Sequence, residues 1–416
     1  MTAPPDPYPE NPFRINVSES QISQLQQKLA LTVLPSELDD AGWAYGSPLP
    51  DIQRLVTRWK DGYSWKKYEA ELNDELPQFM RDITVDGFGT LAIHYVHKRS
   101  QIPNAVPLLF VHGWPGSFIE VRKILPLLIE TSAEHPSFHV VALSLPGFGF
   151  SDGPTKKGFN VARYAEVANK LMLSLGYQEY VTQGGDWGYY VTRAMAVEHG
   201  GKHLKAWHTN YPRSASAIHP LRSPLKYLNH LVKPYTVSEQ AALDRTAQFA
   251  KNGRGYIEIQ CTQPQTLGFG LSDSPVGLLA WIYEKLQTWS DTNTYKWSDD
   301  EVLTWVSIYW FSRAGPAASL RIYYEATRSG DRDITTATWE VKVPTGVSFF
   351  PKEFHLPPRR FLAFGNLVSV AEHTEEEGGG HFAAYEKPNL LVGDLRKMFG
   401  KTGGAFGAVT GKNGYN

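Results

Sequence analysis

The chain has 416 residues, 41 Lys and Arg against 42 Asp and Glu, a formal charge of -1 at pH 7, and 42% apolar residues. Such a balance leaves no electrostatic footprint for nucleic acid or an acidic membrane surface, and the apolar share suffices for one large α/β domain with insertions. Cys261 is the sole cysteine, so no intrachain disulfide forms and no oxidising compartment is implied.

The opening residues, Met1-Thr2-Ala3-Pro4-Pro5-Asp6, lack a basic region followed by an apolar run. No stretch approaches the roughly 20 apolar residues that cross a bilayer. The expectation is a cytoplasmic protein with no membrane anchor. Asn16-Val17-Ser18 matches a glycosylation sequon, which has no meaning without a secretory route. Twelve Trp and 21 Tyr suit an aromatic-lined pocket and equally a packed core.

Residues 1–80 read as a helical, aromatic-rich lead-in. Ser18-Glu19-Ser20-Gln21 can cap a helix carrying Ile22, Leu25 and Leu29 on one face. Residues 55–59 and 65–72 form two more amphipathic pieces. The period then changes to that of strands, at 79–85 and 91–96 around the turn Asp86-Gly87. Residues 106–111 are a continuous apolar run, as in a strand buried on both faces, and a mostly apolar one follows at 138–145. Helical segments between them give a βαβ alternation and a largely parallel sheet, so the fold class is α/β. The pattern places the core at 81–211 and 344–399. Residues 212–343 read as a helical cap, with helix signals at Ser238-Glu239-Gln240 and 278–286. Sheet character returns at 347–350 and 361–364. The Gly-rich residues 400–416 are expected to be disordered. There are no internal repeats.

Gly184-Gly185-Asp186-Trp187-Gly188 follows the apolar Tyr180-Val181-Thr182 and precedes a helical pattern through Tyr189, Thr192, Met195 and Ala196. That is the strand, sharp turn and helix of a nucleophile elbow, with Asp186 where a serine usually sits. Serine attacking an sp3 carbon would leave an ether, whereas a carboxylate leaves an ester that water can cleave. Asp186 therefore points to substrates opened by displacement at carbon, such as epoxides or alkyl halides. The bland alternative is a glycine-rich loop with a solvated Asp.

His112-Gly113-Trp114-Pro115-Gly116 turns at the C-terminal edge of the 106–111 strand, where open α/β sheets place ligands. The main-chain N–H groups of Trp114 and Trp187 are expected to form an oxyanion hole, with His112 serving the turn. A triad in this chain order needs an acid and then a base after the nucleophile. His381, in Gly378-Gly379-Gly380-His381-Phe382, is the expected base, with His373 as the alternative. Glu353, just past a strand, is the expected acid. Asp331 and Asp333 are its runners-up, and Glu375, Glu376 and Glu377 read as a solvated loop.

The chain resembles the microsomal-type epoxide hydrolases, particularly soluble fungal members, from residue 13 to about 399. The likeness rests on the 112–116 turn, the Asp186 elbow, Ser348-Phe349-Phe350-Pro351-Lys352-Glu353, and Gly379-Gly380-His381-Phe382. In the lead-in, Trp65-Lys66-Lys67-Tyr68-Glu69 and Leu76-Pro77-Gln78-Phe79 carry it. The resemblance implies an α/β-hydrolase core, a helical cap, diol formation and a homodimer. It also implies two cap tyrosines on the epoxide oxygen. Tyr256, in Gly255-Tyr256-Ile257, matches the first, and Tyr323, in Arg321-Ile322-Tyr323-Tyr324, the second, with Tyr324 the competitor. Phenols, with pKa near ~10, stay protonated at neutral pH and can donate to an alkoxide. One departure is the loop 372–378, longer and more acidic than is usual for that family.

The reading is hydrolysis of epoxides to vicinal diols by Asp186, His381, Glu353, Tyr256 and Tyr323, with water as co-substrate. No cofactor and no metal are implied. A haloalkane dehalogenase is the enzymatic rival, because Trp114 and Trp187 could hold a halide. A non-catalytic ligand receptor on a hydrolase fold is the other.

Overall fold

The computed structural model describes residues 8–213, 221, 224–328, 341–362 and 364–416. Among the described residues nine strands form one sheet: β1 (Asn11–Phe13), β2 (Gln78–Val85), β3 (Gly89–Lys98), β4 (Val106–Val111), β5 (Phe138–Leu143), β6 (Tyr180–Gly184), β7 (Leu204–Thr209), β8 (Thr345–Phe349) and β9 (Leu367–Glu372). Their spatial order is β1-β2-β3-β5-β4-β6-β7-β8-β9. From β5 to β9 every pair is parallel, and β1, β2 and β3 add on in antiparallel fashion. The β4 and β5 strands are buried at every residue, which is why their sequences are apolar without alternation.

The lead-in folds as α1 (Glu19–Ala30), α2 (Leu49–Asp61) and α3 (Trp65–Glu75). Ser18 caps α1 with a reciprocal bond to Gln21, and the helix buries Leu25 and Leu29. In α2, Ile52, Leu55, Val56 and Trp59 recur at helical spacing and are buried. Each such side chain contributes roughly 1.5–3 kcal/mol of hydrophobic stabilisation. The helices α4 (Leu125–Leu128) and α5 (Val161–Ser174) lie among the parallel strands, and α6 (Trp187–His199) follows β6 directly.

Between β7 and β8 the chain leaves the sheet for α7 (Pro224–Val232), α8 (Val237–Gln248), α9 (Gly255–Thr262), α10 (Pro264–Asp273), α11 (Pro275–Thr288), α12 (Asp299–Trp310) and α13 (Arg321–Arg328). The lead-in grips this insertion. Arg58 holds Asp300 through two bonds of 2.8 and 2.9 Å, and the Tyr283 hydroxyl donates to Asp51 at 2.9 Å. The short α14 (Ala383–Glu386) and α15 (Pro388–Phe399) close the core.

Three features differ from expectation. Residues 359–361 make a 3-10 turn where sheet was expected at 361–364, and the strand forms later, as β9. Pro357 and Pro358 lack the N–H groups a ladder needs, whereas Val368 and Val370 are half-buried along a pleated strand. The β7 strand was not anticipated. Residues 400–416 are ordered rather than disordered: Ala405, Val409 and Tyr415 are buried. Gly414 donates to the Asn104 carbonyl at 2.7 Å and accepts from the Ser137 N–H at 2.8 Å. Glycine content there reflects turns pinned to the core. Among the described residues no helix is long and apolar enough to cross a membrane.

Candidate active site

The β6 strand ends at Gly184, and α6 begins at Trp187. Asp186, between them, has φ 48° and ψ -123°, a conformation that costs a non-glycine residue of order 1–3 kcal/mol. The turn fits only because its neighbours are small. A Cβ on Gly188 would enter the main-chain oxygen of Val111, and one on Gly113 would enter the Asp186 side chain. The carboxylate is thus lifted off the sheet edge and pressed against the 112–116 turn. The Trp114 N–H donates to Asp186 Oδ1 at 2.8 Å. Of the two expected donors, Trp187 makes no hydrogen bond to this resting carboxylate. His112 is buried and serves the turn: its Nδ1–H donates to the Gly113 carbonyl at 2.9 Å, and Nε2 accepts from Leu145 at 3.2 Å.

His381 Nε2 lies 3.6 Å from Asp186 Oδ2. Its Nδ1 meets both oxygens of the fully buried Glu353, at 3.0 and 2.9 Å. Burial opposes a charge on the imidazole. The charge of Glu353, with hydrogen bonds to Asp186 and Glu353, outweighs it and pushes the pKa up to about 10. Asp186, Glu353 and His381 are therefore brought together as expected.

The rival candidates among the described residues lie elsewhere. His373 Nε2 is held by Asp394 at 2.9 Å. Glu375 is exposed and pairs with Lys352, Glu376 is exposed, and Glu377 accepts from the Thr374 N–H at 2.7 Å. Asp331 and Asp333 lie outside the described residues. The acidic loop is thus bound down on the surface and leaves His381 in reach of Glu353.

Tyr256 on α9 and Tyr323 on α13 are buried beside the nucleophile. Tyr256 stacks on Trp114 with centroids 5.2 Å apart, and Tyr323 meets Trp187 edge-on at 4.8 Å. The two phenol rings are 5.9 Å apart. Burial first, then the Asp186 charge, raises the Tyr256 pKa well above its usual value. Burial followed by Tyr256 and Asp186 does the same to Tyr323. Both phenols keep their protons. Tyr324 instead sits half-buried with the Arg328 guanidinium over its ring.

Several residues had no sequence signal. Glu386 accepts N–H bonds from Asp291, Gly380 and Phe382 at 2.8, 3.1 and 2.8 Å. His381 itself donates its main-chain N–H to Trp289 at 2.9 Å. The base-bearing loop is therefore clamped between α14 and the cap. Beside Asp186 lies a chamber of about 10 Å³ lined by Gly113, Gly116, Glu120, Asn210 and His381, room for one water. Burial pushes the Glu120 pKa up to about 8. On the cap side, Asp186, Tyr256 and Tyr323 open into a cavity of about 330 Å³, within the range of small-molecule sites.

Known proteins are similar to this chain in sequence and in fold. The family profile described as Epoxide hydrolase N terminus matches residues 10–121, and that of the alpha/beta hydrolase fold matches residues 106–236. A Stigmatella aurantiaca protein bearing a provisional epoxide hydrolase name is 40% identical over 93% of this chain and 84% of its own length. Epoxide hydrolase 1 of Sus scrofa is 35% identical over 94% of this chain and 88% of its own. The solved Aspergillus niger epoxide hydrolase, 32% identical, superposes with a TM-score of 0.79 over 93% of this chain and 95% of that one.

Proposed function

This chain belongs to the epoxide hydrolase family and hydrolyses epoxides, and we propose that it does so through a covalent ester on Asp186. The observation that carries this mechanism is the division of the carboxylate between two partners. Oδ1 is held by the Trp114 N–H at 2.8 Å, and Oδ2 faces His381 Nε2 at 3.6 Å. Oδ1 becomes the ester carbonyl oxygen, and Oδ2 is the nucleophile.

In the first step Oδ2 bonds to a ring carbon as the ring C–O bond breaks, and the alkoxide takes a proton from Tyr256 or Tyr323. Esterification removes the Asp186 charge, one of the supports of the His381 imidazolium. The proton His381 then loses restores the phenol. In the second step neutral Nε2 takes a proton from water, oriented through Glu353 on Nδ1. The hydroxide adds to Asp186 Cγ, and the N–H groups of Trp114 and Trp187 steady the oxyanion. Collapse breaks the ester, the departing diol oxygen takes the proton from His381, and the acid left on Asp186 returns its own proton to that imidazole.

Single turnover in oxygen-18 water tests the ester directly. The first diol is expected to carry unlabelled oxygen from Asp186, with label left in the protein carboxylate. Label in that first diol rules the ester out.

The same reading assigns 81–211 and 344–399 to the catalytic core, 212–343 to the cap and 1–80 to the clamp on it. A homodimer belongs to it too, supported by the exposed apolar stripe Leu225, Leu228, Leu231 and Val232 on α7; sedimentation velocity tests it. A cytoplasmic location is supported by the single, unpaired Cys261, and cell fractionation tests it.

A further inference from the structure

One charge in the substrate cavity has no part in ring opening or ester hydrolysis. Arg213, just past β7, lines the same cavity as Asp186, Tyr256 and Tyr323. It is half-buried, with its guanidinium over the rings of Tyr190 and Tyr211 at 5.9 and 5.6 Å. Nη1 donates to the hydroxyls of Tyr190 at 2.7 Å and Tyr211 at 3.3 Å. Among the described residues no carboxylate forms an ion pair with it. Arg254, the other arginine on this wall, is already paired with Glu258 at 2.6 Å. Asp186 does not serve as the counterion, because its oxygens are directed to Trp114 and His381.

A guanidinium stays charged at any accessible pH, and withdrawing it from water without a counterion is costly. Among the described residues two phenol oxygens engage Nη1 alone, and with those partners Nε and Nη2 form a fork suited to a planar carboxylate. His355 lies on the same wall. Burial, then the Arg213 charge, holds its pKa down to about 3, so it is a neutral ring able to donate one N–H.

We propose that Arg213, with His355 beside it, is an anion-binding subsite, and that the preferred substrates are epoxides bearing a carboxylate remote from the oxirane. This rests on the epoxide hydrolase reading of the same cavity. Tyr211 and Tyr190 connect the two ends: Tyr211 packs against His381 at 5.6 Å, and Tyr190 against Trp187 at 5.3 Å. A substrate anchored at Arg213 therefore lies along an aromatic wall that ends at the nucleophile.

The test compares kcat/KM for 4-(oxiran-2-yl)benzoate and a series of ω-epoxy carboxylates with that for each methyl ester. Styrene oxide is the neutral reference. The wild-type enzyme is expected to favour a carboxylate by roughly tenfold or more, mainly through KM, as one desolvated charged pair can supply. In Arg213→Gln the ratio should fall to about one, and in Arg213→Lys part of it should return. Styrene oxide turnover with no carboxylate preference anywhere in the wild-type series overturns the subsite, and that comparison needs no variant to fold. An equal loss on acid and ester in Arg213→Gln also overturns it, leaving Arg213 as a brace for Tyr190 and Tyr211. Failure to turn over any epoxide, styrene oxide included, overturns the reading of the cavity beneath it.

Discussion

Glu386 accepts the main-chain N–H of Gly380 at 3.1 Å, the residue immediately before the base His381. The same carboxylate takes the N–H of Phe382 on the other side and that of Asp291 in the cap. Glu386→Gln replaces one accepting oxygen with an NH2 group that opposes buried donors. The expected cost is roughly 1–3 kcal/mol of stability, read as a lower denaturant midpoint. Ester hydrolysis should slow while the alkylation burst persists, because only the second step needs His381 in register. Loss of stability with unchanged turnover would make Glu386 a purely structural clamp.

His381→Gln is expected to trap the ester, since ring opening needs no base but its hydrolysis does. Mass spectrometry of the variant with substrate should show the protein plus one substrate. Glu353→Gln should accumulate the same adduct more weakly and lower turnover on the order of 10²–10⁴-fold. Diol release at the normal rate by His381→Gln would move the base elsewhere, although His373 is engaged by Asp394 at 2.9 Å.

Asp186, Glu353 and the Trp114 turn were legible because each closely follows a strand and is punctuated by glycine or proline, and His381 because three glycines lead into it. Glu386, Arg213 and Glu120 were not, because their meaning is tertiary. The bond from the Asp291 N–H to Glu386 spans 95 residues, and nothing local to either residue announces it. The tail misled for a related reason. Its glycines look like low complexity until Gly414 is seen pinned between Asn104 and Ser137. Apolar Phe361 and Leu362 suggest a strand earlier than β9, yet they follow two prolines and turn.

The raised pKa of His381 has a stability signature. Folding lifts it from about 6.5, the usual unfolded value, to about 10. A raised histidine contributes stability that is fully present below about 6.5 and is lost as pH rises through about 10. The difference in denaturation midpoint between wild type and His381→Gln should therefore shrink steadily from pH 6.5 to 10. A pH-independent difference across that window would place the imidazole as neutral in the resting enzyme.

Tyr256→Phe and Tyr323→Phe should each slow ring opening. Each removes one donor from the developing alkoxide, at a cost below the roughly 2.7–4 kcal/mol of a lone oxyanion donor because the second phenol remains. The double variant should be far slower than either single one. Tyr324→Phe is the control and should be silent, since Tyr324 is engaged with Arg328 instead. Rapid-quench measurement of the alkylation burst separates these cases, and a crippled Tyr324→Phe beside a silent Tyr323→Phe would exchange their roles.

Glu120 lines the one-water chamber with His381 and Asn210, and Asp186 lines both that chamber and the substrate cavity. Water held there lies beside Asp186, the residue that carries the ester, and beside the base His381. Burial, the largest influence on Glu120, keeps its carboxyl protonated up to about pH 8, with the His381 charge pulling the other way. At neutral pH it can therefore donate to that water while His381 Nε2 accepts from it. Glu120→Leu removes the polar partner and is expected to slow ester hydrolysis about tenfold or more while leaving alkylation fast, so that the adduct accumulates during turnover. Gly116→Ala should act in the same direction, because a Cβ there would overlap the Glu120 carboxyl and drive it from the chamber. Glu120→Gln, which can still donate, should recover much of the rate below pH 8. If Glu120→Leu folds normally and hydrolyses the ester at the wild-type rate, the attacking water comes by another route.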